Sequence, residues 1–231
     1  KAGFTIIEFN DLAELERLFF RFLRRSLKSL YPDPRRIPQR SWNEAPYLGL
    51  KTFEYRYAPV FFGRTFALSR CLDFLRLQRA HGHNLLMIHG SSGCGKSSLV
   101  RAALLPMLCE NSLYENVSLW DYVIIEFNTK EITWQEQVRQ AISEKLDEPV
   151  KSTTTEISNN EIDHWLTDTA YANGTGKNQC GLIFFFDQLE SFFSQESEVE
   201  QRHYFDEFLM EISSRPNIIV IATMRSDFLP A

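Results

Sequence analysis

From residue 47 onward, short apolar runs alternate with longer stretches in which apolar positions recur at helical spacing. The runs are Leu85–His89, Tyr122–Phe127, Leu182–Phe186 and Ile218–Thr223. Each is apolar along nearly its whole length, the pattern of a strand covered on both faces, and this predicts a parallel sheet. Between them the spacing predicts helices over Lys96–Leu105, stopped by Pro106, over Thr133–Leu146, opened by a capping box of Thr133 and Glu136, and over Glu161–Ala172 and Glu198–Ser213. Such alternation implies an α/β fold with crossover helices. The polar segment Asp147–Asn159 reads as a surface loop, and no internal repeat is visible.

The start of the chain is patterned differently. Asp11–Leu30 sets Leu12, Leu15, Phe19, Phe22, Leu23, Leu27 and Leu30 at helical spacing with arginines between them, which predicts an amphipathic helix. Pro32, Pro34, Pro38 and Pro46 then restrict the backbone and remove amide donors, as in an extended linker. The apolar stripe of that helix needs a partner, and a strand-like run, Phe4–Phe9, precedes it. Residues 1–30 are therefore expected to be the tail of an N-terminal, effector-type module, 31–46 a proline-rich linker, and 47–231 the core, cut short at its C-terminal end.

Composition narrows the function classes. Of 231 residues, 44% are hydrophobic and 24% charged, so wholesale disorder, collagen-like repetition and a coiled-coil rod are excluded. The formal net charge of -5 argues against a protein that coats duplex nucleic acid. Basic residues do cluster at Arg17, Arg21, Arg24, Arg25 and Lys28 and at Arg35, Arg36 and Arg40; they read as a solvated helix face and linker, or as a contact for a local anionic partner. The phenylalanines there lie on the apolar stripe, not as exposed stacking platforms for bases. Cys71, Cys94, Cys109 and Cys180 are far apart and form no C-x-x-C pair, which argues against zinc and fits thiols in a reducing cytoplasm. No apolar run approaches the ~18–20 residues that span a bilayer, and no signal-peptide pattern opens the chain, so a cytoplasmic protein without membrane contact is expected.

One segment carries most of the chemistry. Gly90-Ser91-Ser92-Gly93-Cys94-Gly95-Lys96-Ser97 matches G-x-x-x-x-G-K-[ST] at every defined position, after a predicted strand and before a predicted helix. Glycines let successive N–H groups turn inward around phosphates at a helix N-terminus, where the dipole also favours an anion. Lys96 in that register reaches the β- and γ-phosphates, and the Ser97 hydroxyl is a ligand for Mg²⁺. A second string, Gly174-Thr175-Gly176-Lys177, lacks both the first glycine and the preceding strand and reads as a loop.

The expected acidic partner is Asp187, at the end of the apolar run Leu182–Phe186, as a Walker B aspartate sharing the metal with Ser97; the bland alternative is a cap on the following segment. Gln188 beside it is neutral, so the nearest acid able to orient an attacking water is Glu190, which reads equally as a first-turn helix carboxylate. Arg225 follows the last strand, at the sheet edge where ligands bind in open α/β folds. It reads either as a bidentate γ-phosphate contact or as a partner of Asp227 or Asp187.

Together these motifs resemble the STAND class of signalling P-loop ATPases, related to AAA+ and NACHT proteins, and most closely its novel STAND group. The resemblance runs from Tyr47 to the end: Tyr47-Leu48-Gly49-Leu50-Lys51-Thr52-Phe53-Glu54, then Phe61-Phe62-Gly63-Arg64, then Gly90–Ser97 with Ser98-Leu99-Val100-Arg101-Ala102, then Asp187-Gln188-Leu189-Glu190, and Met224-Arg225-Ser226-Asp227-Phe228-Leu229. It implies an ASCE-type P-loop NTPase fold. Gly63 and Arg64 would lie beside adenine, and Gly90 to Ser98 would hold the phosphates of ATP or ADP with Mg²⁺. Where that family usually has an acid after Gly-Arg, Thr65 stands here. The resemblance also implies a switch: ADP holds a closed monomer, ATP permits self-assembly, and effector and sensor domains lie outside this chain. Two other classes share the motifs: a motor or kinase whose turnover is the output, and a scaffold that binds nucleotide without hydrolysis.

Overall fold

The computed structural model describes residues 46, 48–49, 51–110, 117, 119–127, 131–146, 156–173, 180–195 and 199–228. The predicted strand-like run 4–9, helix 11–30 and most of the linker lie outside the described residues, as do 147–155 of the polar loop and the string Gly174-Thr175-Gly176-Lys177.

All four apolar runs are strands: β1 (Leu85–Gly90), β2 (Leu119–Glu126), β3 (Cys180–Asp187) and β4 (Ile218–Arg225). They form one sheet in the order β1-β4-β3-β2, and every neighbouring pair is parallel. β4 therefore stands between the P-loop strand and the Asp187 strand, the arrangement of an ASCE-type P-loop fold. Every residue of β3 is buried, as expected of a central strand with both faces covered.

The helices are α1 (Thr65–Ala80), α2 (Lys96–Leu99), α3 (Leu105–Glu110), α4 (Trp134–Leu146), α5 (Asn159–Asn173), α6 (Glu190–Gln195) and α7 (Val199–Ser213). α4 opens on the expected capping box: Thr133 N–H donates to Glu136 Oε2 at 2.9 Å, and Glu136 N–H donates to Thr133 Oγ1 at 3.3 Å. Pro106 does not stop the helix that follows the P-loop. Between α2 and α3 the chain stays helical through a π turn, Val100–Leu104, in which Leu105 N–H reaches back to Val100 O. A widened turn shifts the preceding carbonyls out of the register a proline ring would strike, so Pro106 enters α3 at the cost of an amide it never had.

The sheet divides the core. On one side Leu182, Phe184 and Phe186 of β3 pack with Trp134, Val138, Ile162, Trp165, Phe205 and Phe208 of α4, α5 and α7. On the other side Ile183 and Phe185 pack with Leu75 of α1 and with Leu99, Val100, Leu104 and Leu108 of the P-loop helix. Full burial of each such side chain contributes about 1.5–3 kcal/mol, which clamps the strand ends in place.

Register then positions the chemistry. Gly90 pairs with Arg225, Glu126 with Asp187, and Phe186 with Ala222, so the P-loop, Asp187, Thr223 and Arg225 emerge side by side at the carboxyl edge.

Candidate nucleotide-binding site

The loop leaves β1 at Gly90 and enters α2 at Lys96. Two of its residues, Gly93 and Gly95, stand at φ +73° and +86°, in the left-handed region that a side chain disfavours. That reversal folds the backbone into a concave turn at a helix start, the geometry of an anion nest. Ser91, Ser92, Gly93 and Cys94 are exposed along it, and a methyl at Gly90 would come within 2.9 Å of Cys94 Sγ. The Lys96 ammonium curls back over the loop and donates to Gly90 O and Ser91 O, each at 3.0 Å.

Asp187 is buried, with both carboxylate oxygens engaged. Oδ1 accepts from Ser97 Oγ at 2.7 Å and from Thr223 Oγ1 at 2.6 Å. Oδ2 accepts from Arg101, through Nε at 3.2 Å and a terminal nitrogen at 2.8 Å. The same guanidinium donates to Glu54 Oε1 at 3.0 Å and to Glu126 Oε1. Burial works against the charge on Arg101, but its hydrogen bonds to Glu126 and Asp187 and the charges of Asp187 and Glu54 leave its pKa raised. One cation thus faces three carboxylates, and the cluster as a whole is negative.

After Asp187 the chain turns sharply at Gln188, a non-glycine residue at φ +56°. Left-handed backbone costs an ordinary residue free energy, and the turn is tied down from β4: Gln188 N–H donates to Thr223 Oγ1 at 2.9 Å and Leu189 N–H to Thr223 O at 2.8 Å. Glu190 therefore opens α6 and points back, accepting Arg225 N–H on Oε2 at 3.2 Å. It is a first-turn helix carboxylate brought to the same edge as Asp187.

The Arg225 guanidinium lies on neither the P-loop nor Asp187. It forks onto Asp227, at 3.1 Å to Oδ1 and 2.5 Å to Oδ2. This hydrogen-bonded pairing raises the pKa of Arg225 and lowers that of Asp227, and both side chains are well exposed. Arg64, from the Gly63-Arg64 motif, reaches the loop and donates to Cys94 O at 3.0 Å; Gly63 beside it turns at φ +83°. Ser98 accepts Phe53 N–H on its hydroxyl at 3.1 Å, so the segment preceding α1 is laced to the P-loop.

The geometry can be set against known proteins. Residues 46–231 match the family described as Novel STAND NTPase 1. The chain belongs to the novel STAND NTPase family. No curated protein sequence matches it. Among solved structures, ORC2 of Aeropyrum pernix, determined as ADPNP and ADP complexes, is similar with a TM-score of 0.51 at 15% identity, over 71% of this chain and 42% of that one. The Walker-type ATPase PABY2304 of Pyrococcus abyssi aligns with a TM-score of 0.44 at 18% identity, over 76% of this chain and 48% of its own. The chain therefore spans less than half the length of either structure.

In this novel STAND NTPase the strand ends bring together Lys96, Ser97, Asp187 and Glu190, all foreseen from the sequence, and set Arg225 nearby on a different partner. Four further residues, Thr223, Arg101, Glu126 and Glu54, were not singled out as site residues. Thr223 is fully buried and bonds both Asp187 and Gln188; a threonine closing the apolar run Ile218–Ala222 was the signal. Arg101 lies four residues after Ser97, one helical turn along the same face, and that spacing pointed to it. Glu126, the polar end of β2, is beside Asp187 by strand register alone. Among the described residues no helix is long and apolar enough to cross a membrane, and no group of three or more His, Cys, Asp or Glu is placed to hold a metal.

Proposed function

We propose that this chain is the nucleotide-binding core of an ATP-dependent switch that hydrolyses ATP slowly and controls assembly in signalling or defence. The observation that carries the reading is the hydrogen bond of 2.7 Å between Ser97 Oγ and Asp187 Oδ1, next to a glycine-reversed loop bearing Lys96. Membership of the family supports a nucleotide ligand; ATP and ADP as the pair, and the switch role, are our reading.

The N–H groups of Gly90 to Ser98 hold the phosphates, with Gly63 and Arg64 on the adenine side. Lys96 exchanges the carbonyls of Gly90 and Ser91 for the β- and γ-phosphates, one set of acceptors for a more strongly charged one. Ser97 and Asp187 fit Mg²⁺: both offer hard oxygen atoms, and the Ser97 oxygen keeps its lone pairs while its hydrogen goes to Asp187. That ion, when bound, neutralises phosphate charge. Glu190 orients the attacking water and accepts its proton, while its hydrogen bond from Arg225 N–H fixes the carboxylate. Arg225 leaves its exposed partner Asp227 for the γ-phosphate, which ADP lacks, so the two nucleotides have different contacts and bias two conformations.

Glu190→Gln is the test. It should leave nucleotide affinity within about twofold, slow phosphate release at least ~10-fold and prolong ATP-dependent assembly followed by light scattering. Unchanged turnover and unchanged assembly would overturn the switch. Wild-type turnover above the ~10 s⁻¹ of ordinary enzymes, or phosphorylation of an added acceptor, would move the protein to the motor or kinase class.

A further inference from the structure

Arg101 stands on the π turn Val100–Leu104, one helical turn beyond Ser97, and such turns recur at functional sites. Its guanidinium is shared among carboxylates from three separate elements. Asp187 closes β3 and is 1% exposed, whereas Glu126, closing β2, and Glu54, ahead of the turn Tyr55–Val60, are each 46% exposed. Arg101 itself is 12% exposed. The buried end of this network is the carboxylate that, on the reading above, serves the cation; the outer end is two glutamates whose carboxylates bond Arg101.

A guanidinium and a divalent cation compete for the same carboxylate charge, and at a few ångströms in a partly buried setting that competition is worth a large factor in affinity. The two glutamates pull the other way. We propose that Arg101 is a positioning residue that sets the Mg²⁺ sensitivity of nucleotide binding: it opposes the cation at Ser97 and Asp187, and Glu54 and Glu126 moderate that opposition by drawing the guanidinium outward. This deepens the nucleotide-switch reading and rests on it. It also ties the occupancy of the site to Glu54, in the segment that precedes α1.

The test is the affinity of the chain for a fluorescent ADP analogue as Mg²⁺ is titrated from zero, with thermal unfolding of the unliganded protein as a folding control. Arg101→Gln should lower the half-saturating Mg²⁺ about five- to tenfold. Glu54→Gln should raise it about threefold, and should lose that effect in the Arg101→Gln background, because the glutamate acts through the arginine. A purely structural role predicts no shift, or shifts of both variants in the same direction, and either result overturns the proposal. If Arg101→Gln does not fold, Glu54→Gln decides: a rise supports the proposal, and no change or a fall overturns it. Lys96→Ala separates the two levels. If it binds the analogue as well as the wild type, the nucleotide reading fails and the proposal with it; if it loses binding while Mg²⁺ sensitivity ignores Arg101, only the proposal fails.

Discussion

Along β3 the chain changes character within one residue. From Leu182 to Phe186 each side chain is buried in one of two apolar clusters and carries no hydrogen-bonding group to satisfy. Asp187 is equally buried, yet its two oxygens are engaged by Ser97 of α2, Arg101 of the π turn and Thr223 of β4. The interior is held by non-directional burial, and the edge by directional bonds that an anion or a cation can exchange. Stability and chemistry are thus separated by position along the same strands, and substitutions in the two regions should fail in different ways.

The strongest contrast comes from Phe184→Ala, in the centre of the aromatic cluster against Trp165 and Phe208. Denaturant unfolding should show a loss of about 3–5 kcal/mol, with the nucleotide affinity of the folded fraction unchanged. An altered affinity would mean that the interior and the edge are not separable. Thr133→Ala, which removes one half of the capping box of α4, should cost about 1 kcal/mol by the same measurement and leave the edge untouched.

Asp121, early in β2, extends the contrast to pH. Burial opposes its charge, but the charge of Lys145 and the hydrogen bond from it, with Lys145 Nζ at 2.8 Å, hold the carboxyl below its ordinary pKa. A carboxylate with a lowered folded pKa contributes stability above the unfolded value of about 3.9 and loses it as pH falls through the folded value. Unfolding free energy should therefore decline in acid below about pH 4, and Asp121→Asn should flatten that part of the profile while leaving the neutral plateau less stable. The smallest effect belongs to Arg225→Gln. Its pair with Asp227 is exposed, so the melting temperature should not move measurably, whereas the preference for ATP over ADP should fall. A shifted melting temperature with an unchanged preference would make Arg225 part of the scaffold.

How much of this was legible in the sequence follows the same division. The four strands announce themselves because a strand covered on both faces has to be a continuous apolar run, and each was placed within a few residues. The P-loop was legible because phosphate binding demands particular residues at fixed spacing. α1 was not: only Cys71 and Leu75 of its 16 residues are buried, while Phe66, Phe74 and Leu77 are exposed, so no clean stripe marks its face. Pro106 misled because a π turn two residues earlier changes what a proline does to a helix. The Arg101 cluster depends on Glu54, Glu126 and Asp187 meeting in space; strand register decides the last two, and periodicity does not encode it.

The central claim is that the carboxyl edge binds nucleotide through the P-loop. Equilibrium binding of fluorescent ATP, ADP and GTP with Mg²⁺ to the wild type and to Lys96→Ala tests it most directly. The account predicts adenine-selective binding that weakens at least ~100-fold in Lys96→Ala, equivalent to about 2.7 kcal/mol, with the melting temperature of the unliganded protein unchanged. Binding that is absent in the wild type, or indifferent to Lys96, would contradict it.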